Sequence, residues 1–392
     1  MTSEVQTVQL EEVADLKGGY AFKSQDYTES GRFVLRTLNI DDSGRITRDS
    51  AAYISEEKAK EYERFELVPW DTLFVMVGAT LGKVGLIKES DLPALLNQNM
   101  WVVRAKKERV NPRYLHYAFG LTSKSLLGWA SGAARDFVRR DDFRKMHLNL
   151  PARPQQDQIA HILGTLDDKI ELNRRMNETL ESIARAIFKS WFVDFDPVRA
   201  KASGEAPESI CHRLGLTPDL LALFPDRLAD SELGEIPEGW EQKRVDDLME
   251  LAYGKALKAS DRVDGPVPVY GSGGITGYHS EHLIDGPGII VGRKGTVGSL
   301  YWEDRSFFPI DTVFYVVPKV ELTYCYYLLQ TLGLDRMNTD AAVPGLNRNN
   351  VYRLLVAWSP VELRQAFDRV VKALRDRMFT KEGLHNQRRN AS

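Results

Sequence analysis

Two hydrophobic patterns alternate along the chain. The first consists of short runs of apolar, aromatic and β-branched residues, as at 72–77, 100–103, 288–291 and 312–317, each bounded by Gly, Pro, Asn or Asp. Such runs predict strands joined by elaborate loops. Helical spacing separates some of them, at 55–65, 112–121 and 323–332. The second pattern is longer. After Pro151 and Pro154, seam positions fall at Ile159, Leu163, Leu166, Ile170, Asn173, Asn177, Leu180, Ala184, Ile187 and Trp191, in steps of four and three. That period predicts a coiled-coil helix, a rod on the order of 57 Å at about 1.5 Å per residue. A helix lying on a globular core would explain three turns of this pattern, but not five unbroken heptads. The two asparagines are poor core residues of the kind that fix register. A second copy starts at Phe367, Val371, Leu374 and Met378, then meets Lys381 and His385 and loses its apolar character, ending in a basic tail. Two antiparallel helices of unequal length are expected.

The strand-rich parts are related to one another. Leu10 to Leu16 recurs as Val245 to Leu251, and Gly19, Ala21 and Lys23 recur as Gly254, Ala256 and Lys258. The run from Phe74 into Gly78, Gly82, Val84 and Gly85 is echoed by Ile289 into Gly292, Gly295, Val297 and Gly298. A repeat this long is no solenoid unit; it predicts two related domains with the same kind of task. The expected organisation is α+β with internal duplication. A first strand-rich domain is expected at 1–150, a central helix at 151–198, a linker at 199–238, a second strand-rich domain at 239–359 and a shortened distal helix at 360–392.

Composition adds mainly exclusions. With 392 residues, the chain has room for two cores and connecting helices. Two cysteines, Cys211 and Cys325, and a start unlike a signal peptide make a reducing cytoplasm the expected location. No apolar run reaches membrane-spanning length, so no membrane partner is expected. A net charge of −3 means that any polyanion must be met by local basic patches.

The stretch 151–201 carries Pro154-Gln155-Gln156-Asp157-Gln158-Ile159, then Leu166-Asp167-Asp168-Lys169-Ile170-Glu171-Leu172-Asn173-Arg174-Arg175, then Trp191-Phe192-Val193-Asp194-Phe195-Asp196-Pro197. It closely resembles the central conserved region of the specificity subunit of type I restriction-modification enzymes. Ser231 to Trp240 resembles the start of that family's second target-recognition domain. Val269 to Ile275, Gly292 to Gly298 and Pro309 to Thr312 also resemble such domains, so nearly the whole chain is covered. The resemblance implies two target-recognition domains held apart by antiparallel helices, each reading half of a split, asymmetric site on double-stranded DNA. It also implies docking of two adenine-methyltransferase subunits and, through them, of restriction subunits. S-adenosylmethionine, ATP and Mg would belong to those partners, with no cofactor in this chain. The shortened distal helix departs from the pattern. A DNA-reading or protein-scaffold subunit of another defence assembly is the alternative.

The residues contain no matching chemistry of their own. An amino-methyltransferase needs an Asn/Asp-Pro-Pro-aromatic motif and a glycine-rich cofactor loop, and neither occurs. The run 271–277 has Thr276 where a dinucleotide loop needs its third glycine, and 292–296 lacks phosphate-loop spacing. Scattered histidines and distant cysteines form no metal motif.

For DNA contact the candidates are loops before the helices: Arg135, Arg139, Arg140, Arg144 and Lys145 in the first copy, Asn347 and Arg348 in the second. Their side chains suit phosphates and base edges. Interleaved Asp136, Asp141 and Asp142 equally suit a self-paired surface. Lys83, Arg293 and Lys294 flank the glycine turns, where a backbone can approach a phosphate or merely turn tightly. Tyr20, Phe22, Tyr270 and Tyr278 read as core aromatics. Arg174, Arg175, Lys189, Trp191 and Phe192 are candidates for docking the methyltransferase, the aromatic pair as anchors or as packing within the chain itself.

Overall fold

The computed structural model describes residues 5–78, 80–131, 140–337 and 345–389, without the side chains of 125–131, 140, 142 and 379–389. Two compact units divide the chain, Met1–Lys169 and Ile170–Ser392.

In the first unit the order is β1 (Gln6–Gln9), α1 (Leu10–Val13), β2 (Ala14–Gly18), β3 (Arg32–Leu35), β4 (Ala52–Ile54), α2 (Glu56–Ala59), β5 (Thr72–Val75), β6 (Val84–Leu86), β7 (Ala94–Leu96), β8 (Met100–Ala105), α3 (Pro112–Ser131), α4 (Arg140–Arg144) and β9 (His147–Leu150). Sheets form in the orders β2-β8-β5-β6 and β4-β3-β7, and β1 pairs with β9. Strand β5 is buried along its whole length because it serves two cores. Phe74 packs with Trp101, Phe119 and Phe143, while Leu73 and Val75 join Phe33, Leu35 and Val102 on the other face. That double burial is why the sequence there is continuously apolar rather than alternating. The antiparallel pairing of β1 with β9, Gln6 opposite Leu150, ties the start of the unit to the strand ahead of the long helix. The helix expected at 55–65 is α2 followed by a tighter 3-10 turn, Lys60–Phe65.

Helix α5 (Arg153–Phe192) is 40 residues long and belongs to both units. After it come α6 (Asp196–Ala202), α7 (Pro207–Leu214), α8 (Pro218–Ala222), β10 (Leu228–Ser231), β11 (Gly234–Pro237), β12 (Glu241–Arg244), α9 (Val245–Leu248), β13 (Met249–Tyr253), β14 (Val267–Gly271), β15 (Gly274–His279), β16 (Gly288–Gly292), β17 (Leu300–Glu303), β18 (Phe308–Pro309), β19 (Val313–Pro318), α10 (Leu322–Thr331), α11 (Arg348–Tyr352), β20 (Leu355–Trp358) and α12 (Val361–Arg389). The sheet orders β13-β19-β16-β17 and β15-β14-β18, with β12 on β20, repeat those of the first unit strand for strand. The duplication read from the sequence is a duplication of topology.

The segment expected to be a linker is folded instead. Pro207 and Pro218 open α7 and α8, where a missing N–H costs nothing. Val198, Ile210, Leu221, Phe224 and Ile236 are buried in the same core as Trp191 and Trp240. In the second unit α5 and α12 run antiparallel. Phe188 lies 5.4 Å from Phe367 and Glu181 lies 3.6 Å from Arg375, so one helix rises as the other descends. Toward its start α5 carries its seam differently, for Ile159, Leu163 and Ile170 are 37%, 37% and 42% exposed. No described helix is long and apolar enough to cross a membrane.

Candidate nucleic-acid interface

In the second unit the chain turns sharply after β16. Gly292 admits no side chain, since a Cβ there would lie 2.1 Å from the Thr296 carbonyl. Gly295 and Gly298 have φ of +85° and +72°, a region closed to most residues. The turn is stitched to its neighbours by backbone bonds. Arg293 and Lys294 both donate N–H to the Thr312 carbonyl, at 3.0 and 3.1 Å, and Leu346 donates to the Arg293 carbonyl at 2.8 Å. A bridge between Lys294 and Gly345 continues the pairing. Loops widely separated in sequence are thereby laid side by side, so that Arg293, Lys294, Asn347 and Arg348 come together.

Asn347 is the cap of α11, its side-chain oxygen accepting from the Asn349 N–H at 2.9 Å. Capping accounts for that oxygen. The Arg348 guanidinium sits 4.6 Å from the centre of the Tyr253 ring, and Nη1 donates to the Leu251 carbonyl at 3.3 Å. Arg293 approaches the same ring at 5.1 Å, and both its Nε and Nη2 donate to the Asp311 carbonyl. Tyr253 itself is 51% exposed at the end of β13, its ring tilted against Phe314 with centroids 5.0 Å apart. Two cations and an open aromatic therefore form one cluster, and among the described residues neither guanidinium has a carboxylate at ion-pair distance. Sequence reading missed Tyr253. The available signal was its alignment with Gly18 in the repeat: an exposed strand end gained a ring in one copy only.

The first unit builds its turn from the same parts. Gly78 and Gly82 have φ of +82° and +86°. Lys83, however, is tied to Asp42 at 2.6 Å and donates to the Ile40 carbonyl. Arg144 pairs loosely with Asp141 at 3.7 Å, and Lys145 is exposed. Helix α4 is anchored by Phe143, fully buried against Phe74 and Trp101. Arg135 and Arg139 lie outside the described residues, as does the Arg140 side chain.

Of the aromatics read as core, Phe22 and Tyr270 are buried and Tyr20 packs beside Phe22, but Tyr278 is 50% exposed. The Tyr270 hydroxyl donates to Glu303 at 2.9 Å, and burial raises its pKa far above the usual phenol range. It is a structural group.

The helix candidates separate sharply. Trp191 and Phe192 are 3% and 5% exposed, packed on Phe224, Tyr324, Trp240 and Phe367, so their surface is used within the chain and cannot anchor a partner. Arg174 and Arg175 lie on α5 beside Glu178 and Glu171, at 3.6 and 2.8 Å, and Lys189 pairs with Asp194. Pairs of this exposed kind contribute little stability.

A family model described as the type I restriction modification DNA specificity domain matches residues 2–182 and 237–350. The type I restriction enzyme HindI specificity subunit of Haemophilus influenzae is 37% identical over 154 residues, 31% of this chain and 34% of that relative. The EcoprrI specificity subunit of Escherichia coli is 23% identical over 397 residues, covering 96% of this chain and 88% of that one. The HindI match and two from Methanocaldococcus jannaschii, to the MjaIX and MjaVIII specificity subunits, span less than half of those relatives' own length, 34%, 40% and 44%. Among solved structures, the type I restriction-modification S subunit from M. genitalium aligns over 97% of this chain and 92% of its own, with TM-score 0.53 at 17% identity, a likeness of fold.

Proposed function

The chain belongs to the family of type I restriction-modification DNA specificity domains, and from that premise we propose that it is the sequence-reading subunit of such an enzyme. Each duplicated unit reads one half of a split, asymmetric site on double-stranded DNA, and the long helix sets the distance between halves. The observation that carries this reading is the repeated topology. Two strand-for-strand equivalent units each contain a glycine turn after the matching strand, and both share the uninterrupted helix α5. Reading two separated base clusters requires two readers on a stiff spacer.

In this reading the chain is non-catalytic. Two adenine-methyltransferase subunits dock along the helices and recruit restriction subunits, and S-adenosylmethionine, ATP and Mg belong to those partners. Support for docking on α5 comes from Ile162, Leu172 and Ile183, which stand 52%, 59% and 43% exposed on a helix that also presents Arg174 and Arg175. Apolar side chains left in water on a rod are a usual mark of a contact surface.

The test is an exchange. Residues 239–359 are replaced by the corresponding domain of another specificity subunit, and the adenine-methylation motif of the host genome is read by single-molecule sequencing. One half of the motif should change and the other persist; a change in both halves overturns independent reading. DNA affinity of the assembled complex should also fall steeply with rising salt. A flat salt response would favour a protein scaffold.

A further inference from the structure

We infer that Arg348 reads a guanine in the half-site of the second unit, with Tyr253 as its platform and Arg293 as the residue that holds the platform; this rests on the DNA-reading function above.

A guanine shows the major groove two acceptors, O6 and N7, spaced to accept two parallel N–H bonds from one edge of a guanidinium. The two arginines of the cluster differ in the edge they keep. Arg293 gives both Nε and Nη2 to the Asp311 carbonyl, so its fork is already engaged by the protein. Arg348 gives only Nη1, to the Leu251 carbonyl. Among the described residues, its Nε and Nη2 have no hydrogen-bond acceptor, so together they form an open edge. The Tyr253 ring 4.6 Å beneath it fixes the plane of that edge, and the Leu251 bond fixes its rotation. A guanidinium held in this way loses less freedom on binding than one on a loose stem. Arg293, over the same ring at 5.1 Å and bonded to Asp311, restrains the tyrosine.

The platform belongs to one copy only. The position equivalent to Tyr253 is Gly18, with no atom of the described residues within 4 Å of where a Cβ would stand. Equivalent scaffolds with different residues at one strand end are what two different half-sites require.

The experiment uses the full chain with its methyltransferase subunit in a methylation-free host, carrying R348A, R348K, Y253A or Y253F. The methylated motif and the methylation level at single-base variants of it are read by sequencing. In the wild type, the half-site assigned to this unit by domain exchange contains a G·C pair. R348A and R348K each lower discrimination at that pair by about tenfold to a hundredfold, leaving the other half-site and the spacing as they were. Y253F, which keeps the ring, behaves as wild type, and Y253A relaxes the same position. A second half-site without any G·C pair overturns the inference. So does full discrimination in R348K, or a uniform fall in methylation with an unchanged motif, which is the signature of a phosphate contact. If R348A fails to fold, R348K decides alone, and persistence of the first half-site reports its fold. A wild type that directs no split motif sinks the underlying reading instead.

Discussion

At the scale of single residues, the repeated glycines have a physical reason beyond flexibility. A Cβ on Gly19 would lie 1.9 Å from the Asn97 carbonyl, and one on Gly254 would lie 2.1 Å from the Ile310 carbonyl. In each unit the chain leaves its sheet through a gap that only a hydrogen fits. Gly254→Ala should therefore destabilise the second unit by about 1–3 kcal/mol, because the obstructing atom is backbone and cannot rotate away. Gly18→Ala, with open space around it, should be nearly neutral. Urea midpoints of the two variants measure the difference. His116 sets a pH dependence in the first unit. Burial, with the Arg113 charge assisting and Asp167 opposing, pushes its imidazole down to about 4, and Nδ1 lies 3.3 Å from the Thr72 hydroxyl. The unfolded imidazole titrates near 6.5, so from about pH 6.5 down to about 4 the unfolded chain binds a proton that the folded one refuses. Stability should be full above that window and fall by at most about 3 kcal/mol across it. A His116→Gln variant should lack this component. Equal slopes of stability against pH in the two proteins would refute it.

At the scale of elements, the aromatic knot of α5, α10 and α12 is what the second unit is built on. Phe367 is fully buried and touches Phe188, Trp191, Phe192 and Tyr327. Phe367→Ala should cost about 3–5 kcal/mol. Chemical denaturation should show the loss in the second unit, and a cost below about 1 kcal/mol would mean that the helices pair without this contact. These elements also show what a sequence can and cannot disclose. The strands and the repeat were legible because local period and recurring glycines carry them. The segment 199–238 was misread because proline at the first turn of a helix looks like proline in a loop until the buried faces of Ile210 and Leu221 are seen. Trp191 and Phe192 face the chain's own core, a fact set by Phe224, Trp240, α10 and α12 packing on them and not by their own helix. The interface loops were legible as loops. That Leu346 pairs with Arg293, that Lys83 is held by Asp42 and that Tyr253 lies under Arg348 are long-range facts with no local signature.

At the scale of the whole molecule, the length of one helix matters most. Helix α5 is one unbroken element of 40 residues, with its first part in one unit and its remainder in the other. If it is the ruler between half-sites, its length is part of the recognised sequence. Seven residues inserted after Asn177 add about 10.5 Å and return the helix to within about 20° of its original face, so pairing with α12 beyond the insertion is kept. At about 3.4 Å per base pair the step sets an upper limit of about three extra base pairs in the spacer. Each added pair also turns the second half-site around the DNA axis, so the increase should be between about one and three pairs. An insertion of five residues adds about 7.5 Å but swings the face by about 140°, and it should abolish directed methylation. Methylation motifs of the two insertion variants decide the matter. A longer spacer with both half-sites unchanged supports the ruler, whereas an unchanged spacer, or a change within either half, would show that the distance between half-sites is set by something other than α5.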